Sequence, residues 1–104
     1  MAESRDSHPL TFDREAVADI CRRWGIRELA IFGSALRSDF GPQSDIDLLV
    51  ELEPDVVLGF RIFELEQELS GVFGGRRIDL VPRKYLHPLL RERVLSEAQV
   101  AYAA

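Results

Sequence analysis

The stretch GSALRSDFGPQSDIDLLV, residues 33–50, follows directly on the apolar run LAIF, residues 29–32. It turns through a polar loop and places Asp45 and Asp47 at the head of a second apolar run, IDLLV. Aspartate is depleted in strands because its short side chain competes for backbone hydrogen bonds. Two of them at the head of a core strand therefore call for a purpose. Residues i and i+2 of a strand share a face, so the two carboxylates project together while Ile46, Leu48 and Val50 point into the core. RRIDLV, residues 76–81, repeats the device: Ile78 and Leu80 go one way and Asp79 the other. If these two strands are neighbours, three carboxylates meet on one side of a sheet.

Working outward, residues 28–32 read as a strand and Gly33–Ser34 as the turn after it, with Ser34 to Arg37 starting a short helix before the Gly41-Pro42 breaker. Upstream, Asp13 caps a helix whose Ala16, Val17, Ile20, Cys21 and Trp24 fall at offsets of three and four along one face, and Gly25 stops it. Downstream, residues 46–51 form the second strand. Residues 59–73 carry Phe60, Ile62, Phe63, Leu65, Leu69, Val72 and Phe73 at helical spacing, closed by Gly74-Gly75. Residues 77–81 are a third strand, cut off by Pro82. Residues 86–98 form a last helix with Pro88 in its first turn, and residues 100–102 are a fourth short strand or a tail. Helices alternate with strands, so the class is α/β (or α+β), a small mixed β-sheet with helices packed against it. Residues 1–10 are expected to be a flexible lead-in, and residues 11–104 a single domain.

The 104 residues suffice for one core, burying about two-thirds of the unfolded chain's surface. Thirteen basic and 18 acidic side chains leave a net charge of -5, which disfavours generic binding to nucleic acid or to an anionic membrane. A lone cysteine, Cys21, excludes an internal disulfide and fits a reducing cytoplasm; its position on the first helix reads as a buried small hydrophobe. No apolar run is long enough to span a membrane, and MAESRDSHP is too polar for a signal peptide.

Unpaired, three carboxylates repel; with one or two Mg²⁺ ions among them the repulsion becomes binding, because Mg²⁺ prefers hard oxygen ligands and keeps positions open for substrate phosphates. The Gly33-Ser34 turn exposes backbone N–H groups and a hydroxyl, the donors that cradle a phosphate. Arg37, one helical turn on, can add a charge-assisted contact. Together these residues describe a metal–triphosphate site. An EF-hand loop is excluded, since Leu48, Leu49 and Val50 stand where further oxygen ligands and a glycine are needed. Singly, each signal has an ordinary structural explanation: Asp-x-Asp on a half-exposed strand, Gly-Ser as a common turn, Asp79 as an ion partner of Arg76 or Arg77.

Gly33-Ser34, ten residues, then Asp45-Ile46-Asp47 resembles the G-S-x10-D-x-D signature of the nucleotidyltransferase superfamily that includes DNA polymerase beta, and the third acid in RRIDLV fits as well. Most similar are the minimal nucleotidyltransferases, short antitoxins encoded beside HEPN-domain toxins. The likeness runs over residues 10–102. It departs from the pattern where Ser38 and Asp39 follow Arg37 in place of the usual glycine. The resemblance implies the nucleotidyltransferase fold and two Mg²⁺ ions. Asp45 and Asp47 would hold both, and Asp79 would complete the one nearer the attacking hydroxyl and assist as a base. It further implies ATP bound by Gly33 and Ser34 at its β- and γ-phosphates, and transfer of AMP to a tyrosine of a HEPN toxin in a hetero-oligomer with that partner.

Three other readings compete: a binding module that neutralises its partner by occlusion alone, a transferase acting on a small molecule, and a phosphoacceptor receiver domain. The small-molecule reading would need a longer chain, and Asp-x-Asp after Gly-Ser suits a receiver domain badly. Among surface candidates, Phe60, Phe63 and Phe73 could contact a partner, but aromatics at helical spacing more often belong to the core, and that is the expectation for them. Arg76, Arg77, Arg83 and Lys84 could meet nucleotide or toxin, or form a solvated face. His8 and His87 lack ligand-like spacing and read as surface residues.

Overall fold

The computed structural model describes residues 12–33 and 45–104. Helix α1 (Arg14–Trp24) begins where the Asp13 side chain accepts hydrogen bonds from the backbone N–H groups of Glu15 and Ala16, satisfying donors that a helix start leaves orphaned. It ends at Gly25 and buries Val17, Ile20, Cys21 and Trp24, the face read from the sequence. Burial pushes the Cys21 thiol up to about 12, as expected of a sulfur enclosed by apolar neighbours.

Strand β1 (Ile26–Phe32) pairs antiparallel with β2 (Ile46–Leu52), which pairs parallel with β3 (Ile78–Pro82). Strand β4 (Gln99–Ala103) lies antiparallel on the other side of β1, giving the order β3-β2-β1-β4. A short 3₁₀ turn (Gly59–Arg61) leads into α2 (Ile62–Val72), the crossover between the two parallel strands. Gly75 donates its N–H to Ser70 O at 2.8 Å and Phe73 donates to Leu69 O at 3.0 Å; this double closure ends α2 with two left-handed glycines, φ 77° and 82°. A second 3₁₀ turn (Arg83–Tyr85) precedes α3 (Pro88–Glu97).

The sheet has two unequal cores. Helices α1 and α2 cover one face, where Leu29, Ile31, Ile46, Leu48, Val50, Ile78 and Leu80 meet Val17, Cys21, Leu65, Leu69 and Phe73. The other face carries a smaller cluster: buried Ala30, Leu49 and Leu86, with half-buried Phe32, Val81, Val94, Leu95 and Ala98. Helix α3 lies there and contributes no fully buried residue. His87 is exposed, and its Nδ1 caps this helix by accepting the Leu89 N–H at 3.1 Å.

Elements and order agree with the sequence reading, and residues 99–103 prove to be a paired strand. One expectation fails. Phe60 and Phe63 are 90% and 63% exposed, whereas Phe73 is 2% exposed. The reason is that α2 begins only at Ile62 and turns Leu65 and Leu69 inward, which leaves Phe60 and Phe63 on its outer side. Of the basic residues around β3, Arg83 is engaged within the chain: its guanidinium donates to Glu51 at 3.0 Å and lies 3.8 Å from Glu28. The proposed start of a helix at Ser34 to Arg37, the Gly41-Pro42 breaker, the lead-in and His8 lie outside the described residues.

Candidate functional site

The register between β2 and β3 pairs Asp47 with Asp79, flanked by Ile46 with Ile78 and Leu48 with Leu80. Neighbouring strands lie about 4.8 Å apart, so these two carboxylates leave one face of the sheet side by side. Asp45 immediately precedes β2, and strand alternation gives it the side that Asp47 takes, about 6.6 Å away along the chain. Asp45 and Asp79 are exposed and Asp47 is half-buried, while the intervening Ile46 and Ile78 are buried. The fold therefore lines up the three acids foreseen in the sequence as a strip at one end of two parallel strands.

Gly33 closes the strip from the side of β1. Phe32 is the register partner of Asp47, so the residue after it passes directly beside that carboxylate. Gly33 has φ 75°, and a Cβ built there would collide with Oδ2 of Asp47 and lie 3.3 Å from its Cγ. Both the left-handed backbone and the missing side chain are needed for this approach. Ser34 and Arg37, the other two residues expected to hold a phosphate, lie outside the described residues.

Carboxylate oxygens are the hard donor type that Mg²⁺ takes, a few at a time, completing its shell with water or phosphate. Among the described residues no three His, Cys, Asp or Glu side chains already converge as a metal cage. Among the described residues the acids form a strip along two strand ends. Donor chemistry and exposure suit a cation that arrives already bound to an anionic ligand, and the glycine makes room for the Asp47 carboxylate itself.

Sequence reasoning did not locate two charged arrangements on this sheet face, because both depend on register. Arg77, one residue before β3, lies across from Asp45: Ile46 donates its N–H to Arg77 O at 2.9 Å. At the far end, Glu28 and Glu51 are direct partners across β1 and β2, and Arg83 bridges them.

The nucleotidyltransferase domain family matches residues 14–101. Protein adenylyltransferase MntA of Thermococcus cleftensis is 34% identical over 79 residues, 76% of this chain and 78% of that protein. A solved structure described provisionally as a minimal nucleotidyltransferase is 41% identical, covers 82% of this chain and 85% of its own, and superposes with a TM-score of 0.68. A chain from the complex of a tri-AMPylated HEPN toxin of Shewanella oneidensis with MNT antitoxin shares the fold at 20% identity. That likeness covers 88% of this chain and 70% of its own, with a TM-score of 0.61.

Proposed function

The chain belongs to the nucleotidyltransferase domain family, and from that premise we propose that it transfers AMP from ATP to a tyrosine hydroxyl of a HEPN-type toxin and neutralises that toxin by doing so. The observation that carries the reading is the Asp47–Asp79 register on adjacent parallel strands, with Asp45 two residues upstream and Gly33 beside Asp47. The relative named protein adenylyltransferase and the solved complex of AMP-bearing HEPN toxin with MNT antitoxin support the choice of AMP and of partner.

Asp45, Asp47 and Asp79 would hold magnesium, which when bound neutralises the triphosphate and polarises its α-phosphorus. Gly33 and Ser34 would orient the β- and γ-phosphates, with Arg37 adding a charge-assisted contact. The tyrosine oxygen forms a bond to the α-phosphorus as the bond to the β-phosphate oxygen breaks, and pyrophosphate leaves. Asp79, on the strand nearest the sheet edge, would receive the tyrosyl proton as a general base.

The test is to incubate this protein with MgATP and the HEPN partner and to weigh the partner intact. A mass increase of one or more AMP groups on tyrosine, absent without ATP, is expected. An unmodified partner that is nevertheless inhibited would mean neutralisation by occlusion. Modification of a small molecule, with none of the partner, would move the acceptor class altogether.

A further inference from the structure

Strands β2 and β3 are parallel, with Val50 beside Pro82, so the residues from 53 onward and from 83 onward leave the sheet at the same end. That end lies three strand residues beyond Asp79, about 10 Å from the acid strip. The first segment is held there by the Glu53 N–H, which donates to Gly25 O at 2.9 Å. Between the two segments is a cleft of about 490 Å³, lined by Pro54 and Val56 from one and by Lys84 and Arg91 from the other. Near these lining residues in the chain are Val57 and Phe60 on the first side, and Tyr85 and Leu89 on the second. They are 85%, 90%, 71% and 86% exposed. A single exposed hydrophobe is ordinary, but four around one end of a sheet, among charged residues, mark a surface that is covered in use.

The two sides of the cleft differ in sign. Residues 53–68 hold five acids and one base, and residues 82–93 hold four bases and one acid. Asp55 and Glu64 are exposed on the first side, Lys84 and Arg91 on the second. A partner surface of uniform charge is repelled by one side or the other. A second copy of this chain, turned by a two-fold axis through the cleft, is not: its basic side falls on this acidic side and its acidic side on this basic one. The acid strip lies at the other end of the same strands, so the pairing leaves both strips open to their ligands.

We propose that this end of the sheet is a symmetric docking surface for a second copy of the chain, with the Val57–Phe60 side of each protomer seated on the Tyr85–Leu89 side of the other. The proposal is independent of how the acid strip is read. Four exposed apolar side chains and solvent-screened charges make a small interface, and small interfaces are weak. The dimer is therefore expected to dissociate at about 10–100 µM. At the low micromolar concentrations of an unfolding experiment the chain is monomeric, and these side chains then add nothing to its fold.

The experiment is sedimentation equilibrium of the full chain from about 1 to about 300 µM, a range that brackets the expected dissociation constant. Wild type should pass from monomer to dimer. Phe60→Ser and Leu89→Ser should each weaken the dimer about tenfold, as the loss of a central apolar contact does, while melting as wild type does at about 1 µM, where the chain is monomeric. Asp55→Lys and Arg91→Asp should each stay monomeric, because each sets like charges against one another twice in the pair. Mixed together they should associate, since every contact across the axis is then again between opposite charges. A wild type that stays monomeric throughout, a dimer indifferent to Phe60→Ser and Leu89→Ser, or a mixture of the charge variants that fails to associate overturns the proposal. Species that keep growing beyond the dimer exclude the two-fold axis. If wild type stays monomeric but Phe60→Ser and Leu89→Ser release the HEPN partner, the surface belongs to that partner and the homodimer is excluded.

Discussion

Gly33 and Asp47 occupy each other's space, and that relation supplies two residue-level predictions. A methyl group at position 33 would meet Oδ2 of Asp47 on a backbone with φ 75°. Gly33→Ala therefore combines left-handed strain with displacement of a carboxylate. It is expected to destabilise the protein by about 1–3 kcal/mol, the cost of a residue held in a sparsely allowed conformation, read from urea unfolding; a loss below the error of that measurement would mean that the turn relaxes. Asp47→Asn is the converse change, keeping shape and removing charge. It should still fold and melt cooperatively in metal-free buffer, because its shape is kept, while AMP transfer should disappear. Full transfer by this variant would exclude Asp47 as a metal ligand.

At the scale of elements, α2 separates packing from display. Phe73→Ala should cost about 3–5 kcal/mol, the usual range for emptying a core site of an aromatic ring, because Phe73 is buried under the sheet and packs against Phe12 in a tilted pair with ring centroids 5.0 Å apart. Phe60→Ser and Phe63→Ser should each stay within about 0.5 kcal/mol of wild type, as exposed substitutions do; chemical denaturation of the three variants measures the contrast. The junction of α1 and α2 carries a pH signal. Glu68 is held below its ordinary value, first by the Arg23 hydrogen bond at 2.9 Å. A depressed carboxylate contributes stability that is present above its unfolded value and is lost as pH falls through its folded one. Glu68→Gln should therefore lose part of the acid-side decline in stability, a small effect that salt erases because both side chains are exposed. An identical pH profile in Glu68→Gln at low salt would show that the pair carries no linkage.

This contrast also shows what the sequence could reveal. Offsets of three and four found α1, and alternation found the direction of Asp47 and Asp79, because both periodicities are local. Periodicity alone did not say that Phe60 and Phe63 face outward, since the helix starts two residues later than the apolar pattern and its phase is set by what Leu65 and Leu69 touch. The meeting of Asp47 with Asp79, the Glu28–Glu51 pair under Arg83 and the place of Arg77 all depend on strand register. Register is decided by packing between segments distant in the chain.

For the whole molecule, the two cores differ in what they secure. The face under α1 and α2 encloses most of the buried side chains, whereas α3 adds only Leu86 before it and half-buried Val94, Leu95 and Ala98 to the opposite face. Its ends are nevertheless fixed: Arg83 ties the segment before it to β1 and β2, and β4 after it is hydrogen-bonded along β1. A segment with few buried contacts between two secured anchors opens locally without unfolding the sheet. Native-state hydrogen exchange should accordingly show the amides of Leu90 to Glu97 exchanging by a low-energy local opening. Those of Leu29 to Ile31 and Leu48 to Val50 should exchange only on global unfolding, with a urea dependence to match. Arg83→Met should lower the protection of α3 further and leave the central strands unchanged relative to the global stability. If α3 instead exchanges together with β1 and β2, the small core is as cooperative as the large one, and the sheet face that carries the acid strip is held rigid from both sides.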